Sequence, residues 1–400
     1  MWWSWALWIS IIVAVLGGGY YYVGKRLINT MSWTQSEKTW AWIGFALFMI
    51  ILVLSMVLFR SMEIFGNAWA WITYVGLGFL SLVMTMLVIR DLIMLGPEAI
   101  AYLASLWRST PPTPTDAGRR GFLLEASNLA VLGVAGALTA YGIYEARRKP
   151  GIIELTIGIK RLPESFEGFR IVQISDIHAG LTVRRDWVET IVRQVDALKP
   201  DLIAFTGDLA DGSVSDLQND VAPLIELQAP DGKYFVTGNH EYYSGAEEWV
   251  DHVGKMGYDV LMNMHTTITR KGSSIILAGI ADYSAGGFVP QHASDPKKAI
   301  DGAPAEAVKV LMAHQPRSLY AAETLGFDLI LSGHTHGGQF FPWNLAATIG
   351  QPYIKGLHNR NGTWIYVSKG TGYWGPPVRL GARSEITVFT LTRGISSSEA

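Results

Sequence analysis

The sequence predicts an α/β fold, a four-layer α-β-β-α sandwich, preceded by an all-α transmembrane region. Three observations carry that prediction. Uncharged apolar runs dominate up to about Tyr144, whereas the chain beyond Pro150 has the mixed composition of an ordinary soluble domain. In that second part, short β-branched runs alternate with helix-like stretches, which implies largely parallel strand pairing. Further strand-rich stretches late in the chain call for a second sheet, packed on the first with helices outside. The expected domains are therefore 1–149, a membrane region with about four helices, and 150–400, the sandwich.

Three stretches, 2–23, 41–59 and 68–89, contain no Asp, Glu, Lys or Arg. Each is near the roughly 20 residues needed to cross a bilayer. Tryptophans and tyrosines such as Trp2, Trp3, Tyr20, Trp40 and Trp69 cluster near their ends, where amphipathic rings sit at headgroup level. A fourth stretch, 122–144, is weaker, with Glu125 and Asn128 inside it. Just before it, Arg119-Arg120-Gly121-Phe122-Leu123-Leu124 resembles a twin-arginine export signal; the alternative is a plain span with flanking arginines. Lys25, Arg26 and Lys38 follow the first span, and Arg108, Arg119 and Arg120 precede the fourth. Positive charge favours the cytoplasmic side, which places the C-terminal domain outside; Arg147, Arg148 and Lys149 count against that orientation. The segment 109–115, Ser-Thr-Pro-Pro-Thr-Pro-Thr, is expected as an extended loop.

In the second domain, strands are expected at 152–159, 170–174, 202–206, 234–237, 274–280, 308–312, 329–331, 364–368 and 386–391. Helices are expected at 185–198, 246–256 and 317–325. A formal charge of −2 over 400 residues gives no global basic field, so no nucleic-acid partner is expected. The absence of cysteine rules out disulfides and thiolate metal sites.

Asp176-Ile177-His178, Gly207-Asp208, Gly238-Asn239-His240, His314 and Gly333-His334-Thr335-His336 form one ordered series holding five of the nine histidines. Several of these clusters directly follow an expected strand, where α/β sheets place their sites. Each is weak alone, since a lone Gly-Asn is usually a turn; the order and the shared domain make the set specific. The series resembles the calcineurin-like metallophosphoesterases over essentially all of residues 151–400. It is nearest the membrane-anchored bacterial branch, whose late motif matches Gly-His-Thr-His-Gly-Gly-Gln from Gly333 to Gln339. Tyr366 to Gly370 and Pro377-Val378-Arg379 also look like that branch.

The resemblance implies two divalent cations. Asp176, His178 and His336 would hold one; Asn239, His314 and His334 would hold the other; Asp208 would bridge both. An all oxygen and imidazole donor set suits Mn, Zn or Fe. The implied reaction is hydrolysis of phosphate mono- or diesters at the membrane surface by a metal-bridging hydroxide, with lipid head groups and pyrophosphates among the candidate substrates. By resemblance His240 protonates the leaving group. Asp211 and Glu241 are expected to orient histidines or cap loops, and Gly337 and Gly338 to turn the backbone under the metals. Arg379 is expected at the surface, with contact to a phosphate oxygen as the alternative. Tyr242, Tyr243, Phe340, Phe341 and Trp343 are expected to pack in the core, the alternatives being an apolar wall or a dip toward lipid. Where protein serine/threonine phosphatases of this fold carry arginines, this chain has Gly212 and Glu241, which disfavours a phosphoprotein substrate. The competing function is a membrane sensor or transporter with a non-catalytic, ligand-binding domain; such domains usually lose a ligand, and none is missing here.

Overall fold

The computed structural model describes residues 17–58, 66–108, 117–394 and 398–399. Most of the expected first span, the residue at the end of the second, and the 109–115 loop lie outside the described residues. The chain divides into two compact units, Met1–Tyr141 and Gly142–Ala400.

The first unit is helical. Helix α1 occupies 17–27, followed by α2 (Gln35–Leu58), α3 (Gly66–Arg108) and α4 (Ala117–Arg147). The start of α2 is set by Thr34 and Glu37: Glu37 accepts from the Thr34 N–H at 2.7 Å and the Thr34 hydroxyl accepts from the Glu37 N–H at 3.3 Å. That reciprocal pair satisfies two donors that a helix start otherwise leaves open. Among the described residues, Ala68–Gly96 and Gly121–Arg147 are long and apolar enough to cross a membrane. Arg90 and Asp91, just beyond the expected 68–89 span, lie inside the first of these stretches. Asp91 pairs with Arg26 at 2.7 Å and Arg90 at 3.0 Å, and Arg90 reaches the buried Asn128. Charges on apolar helices are tolerated when paired in this way.

The second unit contains two sheets. The first orders Ser398–Glu399 (β13), Gly151–Ile159 (β1), Glu385–Arg393 (β12), Arg170–Ile174 (β2), Leu202–Phe205 (β3), Lys233–Phe235 (β4) and Asp259–Val260 (β5). The second orders Gly356–Arg360 (β10), Thr363–Val367 (β11), Leu329–Ser332 (β9), Val308–Met312 (β8), Ser273–Gly279 (β7) and Met264–Arg270 (β6). Strands β2 to β5 are parallel, as are β7, β8, β9 and β11; hairpins β6–β7 and β10–β11 form the edges of the second sheet.

Alternation along β2 and β3 explains the layers. Ile171, Leu202 and Ala204 point between the sheets, joining Phe389, Leu277, Val310 and Leu331. Val172, Ile174, Ile203 and Phe205 point outward, onto Trp187 and Ile191 of helix α5 (Arg185–Ala197) and Trp249 of helix α8 (Ala246–Lys255). Both faces are covered, so these strands read as continuous apolar runs. Helix α5 buries Trp187, Val188, Ile191, Val192 and Val195, one apolar stripe at helical spacing. Burial of each such side chain contributes roughly 1.5–3 kcal/mol. A separate cluster with Leu311, Ile330, Leu319 and Phe327 covers the outside of the second sheet. The result is the expected α-β-β-α sandwich.

Two local expectations differ. The helix expected at 317–325 is a 3-10 turn, Pro316–Ser318, and one short helical turn, Leu319–Ala322. Gly326, at φ 73°, ends the segment before β9. Tyr242 and Phe340 pack inside, but Tyr243, Phe341 and Trp343 are exposed, against the expectation of core packing for all five.

Candidate metal centre

Five of the parallel strands end in candidate ligands. Asp176 and His178 follow β2, Asp208 follows β3, and Asn239 follows β4 at the start of the short helix α7 (Asn239–Ser244). His314 follows β8, and His334 and His336 follow β9. The backbone there is bent to turn side chains inward. Asp176, His178, Asp208, His334 and His336 all have positive φ, between 51° and 73°. Such a conformation costs a non-glycine residue about 1–2 kcal/mol, and strain of this kind gathers at functional sites. Gly337 (φ 60°) and Gly338 (φ 77°) complete the turn as expected. At Gly238 the need is space: a Cβ would overlap the Asp208 carboxylate.

The seven candidate ligands converge. Ligand atoms of Asp176, His178 and His336 lie within 4.8 Å of one another, as do those of Asp208, His314 and His334. Asp208 also groups with His178 and His240. Its Oδ2 is 3.6 Å from His178 Nε2 and 3.1 Å from His314 Nε2. Asn239 Oδ1 lies 2.9 Å from His334 Nδ1 and 3.2 Å from His314 Nε2. Asp208 thus approaches one member of each ligand group.

The surroundings orient these groups. His314 Nδ1–H donates to the Thr206 carbonyl at 2.7 Å, which fixes the ring with Nε2 toward Asp208. Asp211 Oδ1 accepts from Nδ1–H of both His178 (2.9 Å) and His240 (2.6 Å). Glu241 accepts three backbone N–H bonds, from Asp208 (3.0 Å), Leu209 (2.7 Å) and Gly238 (2.6 Å). It therefore braces the loops that carry Asp208 and Asn239; it does not touch a ligand imidazole.

Electrostatics suit cations. Burial, then the charge of His314, lowers His334 to about 3, so it is a neutral imidazole with an available pair. Burial likewise holds His336 well below the ordinary histidine range. Burial opposes ionisation of Asp208, but His314 and His240 outweigh it and hold its carboxyl well below the usual range. Burial disfavours charge on His240, yet Asp208 and Asp211 raise it to about 9. One buried oxygen, Asp176 Oδ2, has no hydrogen-bond partner. A buried carboxylate oxygen left open beside neutral imidazoles fits a hard or borderline dication.

Arg379 is not at the surface. It is fully buried, and its guanidinium donates to the carbonyls of Ala382 (2.6 Å) and Lys369 (2.8 Å) while sitting 2.9 Å from His336 Nδ1. The carbonyls explain the correction, since five donors in a fixed fork can tie together several loop ends. Sequence reasoning also missed Trp374, whose ring lies 5.7 Å from that of His240; Tyr243 lies at 5.1 Å. No spacing in the sequence links Trp374 to His240. His252, His265, His292 and His358 stand outside the ligand groups, and His265, for example, bonds the Ala299 carbonyl.

The chain is similar to several known proteins. The calcineurin-like phosphoesterase family model matches residues 169–338. The chain is 39% identical over 266 residues to a transmembrane protein with metallophosphoesterase domain from Danio rerio, covering 64% of this chain and 61% of that one. It is 34% identical over 270 residues to an uncharacterized metallophosphoesterase of Bacillus subtilis, covering 64% of this chain and 92% of that one. A metallophosphoesterase from Helicobacter pylori is 34% identical over 68% of this chain and 71% of its own length. The chain spans about three fifths of the length of the Danio rerio relative and of one from Bos taurus. A solved dimetal phosphatase from Danio rerio aligns at 12% identity and TM-score 0.34, covering 56% of this chain and 99% of that one. On its ordered motifs and these relatives, the chain belongs to the calcineurin-like phosphoesterase family.

Proposed function

We propose that this chain is a binuclear metal-dependent phosphoesterase that hydrolyses phosphate mono- or diesters at a membrane surface. The observation that carries the reading is Asp208, whose carboxylate groups with His178 and His240 and also with His314 and His334. Asp176, His178 and His336 would hold one dication, and Asn239, His314 and His334 the other. When bound, the pair would supply Lewis acidity toward phosphoryl oxygens and lower the pKa of water held between them.

The chain's own residues do the rest. His240, 13% exposed at its side chain, faces the crevice beside the ligands and delivers a proton to the departing alkoxide. Asp211 holds the imidazole by Nδ1–H, so that Nε2 carries the proton to be transferred. Glu241 fixes the loop geometry behind Asp208. Mn, Zn and Fe all fit the donor set.

The membrane reading rests on the apolar helices and on relatives named as transmembrane proteins. Residues up to about 149 form the multi-pass anchor, and residues from 150 the catalytic domain, which the arginine and lysine distribution places outside the cytoplasm. A reporter fused to the C-terminus that worked only in the cytoplasm would reverse that orientation.

The test of function is hydrolysis by the purified full chain in detergent, on 4-nitrophenyl phosphate and bis(4-nitrophenyl) phosphate. Metal-stripped protein is assayed with Mn²⁺, with Zn²⁺ and without metal, beside Asp208→Asn. Metal-dependent turnover lost in the variant is expected. Wild-type protein that binds both metals yet turns over neither ester would favour the non-catalytic reading.

A further inference from the structure

The catalytic unit carries an apolar surface that its fold does not cover. Phe341, Trp343, Leu345 and Ile349 are 44%, 51%, 56% and 83% exposed, and Trp374 is 53% exposed. The first four lie on one short helical segment, Trp343–Ala347 with its flanks. No Asp, Glu, Lys or Arg occurs between Asp328 and Lys355. A patch this apolar and uncharged marks an interaction surface rather than ordinary solvent exposure.

That surface is built onto the metal centre. Gly338 packs so closely on Asn344 that a Cβ would overlap it, and the Thr335 hydroxyl donates to the Ile354 carbonyl at 2.6 Å. Both ends of the segment are thus tied to the turn that carries His334 and His336. Gln339 joins Trp374 to the same turn: its amide donates to the Trp374 carbonyl (3.0 Å) and its side-chain oxygen accepts from the Trp374 N–H (2.8 Å).

The connection continues to a candidate membrane helix. The Leu380 N–H donates to the Gln339 carbonyl at 2.8 Å, and the Arg379 N–H donates to the Gly142 carbonyl at 3.0 Å. Gly142 belongs to the last turns of α4, the end of the Gly121–Arg147 stretch that is apolar enough to cross a bilayer. Its Cα faces Val378 so closely that a Cβ would sit 2.6 Å from Cγ1. Only three residues separate the end of α4 at Arg147 from the start of β1 at Gly151. A bilayer crossed by that stretch would tether the catalytic unit beside lipid.

We infer that residues 341–349, together with Trp374, insert into the lipid surface and present the metal centre to phosphate esters carried on lipid. Tryptophan, phenylalanine, leucine and isoleucine on an uncharged segment suit the boundary between headgroups and acyl chains. The inference deepens the membrane-tethered phosphoesterase reading and depends on it for the substrate, but not for the insertion itself.

The absence of native cysteine makes the insertion directly measurable. The full chain carrying Leu345→Cys, labelled with a nitrobenzoxadiazole fluorophore, is reconstituted in phosphatidylcholine–phosphatidylglycerol vesicles with or without doxyl-labelled lipid. Glu306→Cys, before β8 and so at the opposite end of that strand from His314, is the reference. Quenching by doxyl lipid at 345 and not at 306 is expected; equal quenching at the two positions overturns the insertion. In a second arm, Leu345→Asp with Ile349→Asp is compared with wild type on phosphatidic acid in vesicles and on soluble 4-nitrophenyl phosphate. Turnover of the lipid is expected to fall about tenfold with the soluble ester unchanged, because the variant loses apolar contact with the surface. An equal fall on both substrates counts against the inference. If wild type hydrolyses neither, the phosphoesterase reading fails while the quenching still decides the insertion.

Discussion

Asp211→Asn separates the two jobs that one carboxylate oxygen performs. Asp211 Oδ1 accepts from His178 at 2.9 Å and from His240 at 2.6 Å, and its own carboxyl is held below the usual range by those two partners against the opposing effect of burial. Burial works against a charged His240; Asp208 and then Asp211 raise it to about 9. Were dications to take up the Asp208 charge, Asp211 would be the contacting partner that keeps His240 protonated, with Glu241 favouring the charged form from further off. An opposite charge at contact shifts a pKa by about 1–3 units. Asparagine keeps the shape and removes the charge, so the basic limb of kcat should move down by about 1–2 pH units. At a fixed pH above the new value, each unit is about tenfold in rate. On the other side, His178 loses an anionic acceptor, and loss of such a partner weakens metal binding by about 10–100-fold. The assay is a pH–rate profile at saturating metal, beside metal affinity measured by chelator competition. Wild-type values in both would refute the assignment of Asp211. A weakened metal site with an unmoved pH limb would confine its role to His178.

Three further outcomes are expected. His240→Ala should lower turnover by about 10²–10⁴ while elemental analysis still finds two metals; loss of metal with turnover would make His240 a ligand, as its grouping with His178 and Asp208 allows. Arg379→Met should destabilise the fold by about 3–5 kcal/mol in denaturant titration, because buried carbonyls of Ala382 and Lys369 lose a charged donor; a change under 1 kcal/mol would contradict its bracing role. Glu241 is raised from 4.5 to about 7 by burial and by the Asp208 charge, against its three backbone donors. The folded state then holds a proton that the unfolded state has released, so metal-free stability should fall as pH rises from about 4.5 to about 7, by about 3 kcal/mol at most. Glu241→Gln should flatten that slope, and an unchanged slope would exclude Glu241 as its source.

How much of this was legible in the sequence depends on how local the signal is. Strands β2 and β8 were read to the residue, because both of their faces are buried and the apolar run stops where the loop begins. The edge strands β6 and β10 were not, since His265, Thr267, His358 and Asn359 leave them half-polar, and only pairing with β7 and β11 makes them strands. The seven candidate ligands were legible because each sits at a strand end, and strand order then brings the ends together. Arg379 was misread because 43 positions separate it from His336. Nothing local shows that the tail folds under the metal turn, and an arginine after Pro-Val looks like any surface residue. Asp211 was visible as a spacing, but its two histidine partners arise only when β2, β3 and α7 converge.

The positions that resist local reading are also where the backbone is least relaxed. Among the described residues ten non-glycine positions have positive φ, and five of them are candidate ligands. At about 1–2 kcal/mol each, that strain is comparable with the whole net stability of a domain, about 5–15 kcal/mol. It persists because rigid elements on both sides over-determine the loops. Glu241 holds the Asp208 loop by three N–H bonds, Arg379 holds the His336 turn through carbonyls, and the two sheets meet through a continuous apolar core. A carboxylate and imidazoles aimed inward, with an open oxygen at Asp176, would need little reorganisation to take a cation. The same scaffold therefore explains why the ligands can be pre-positioned and why the residues that brace them, rather than the ligands alone, should control how tightly metal is held.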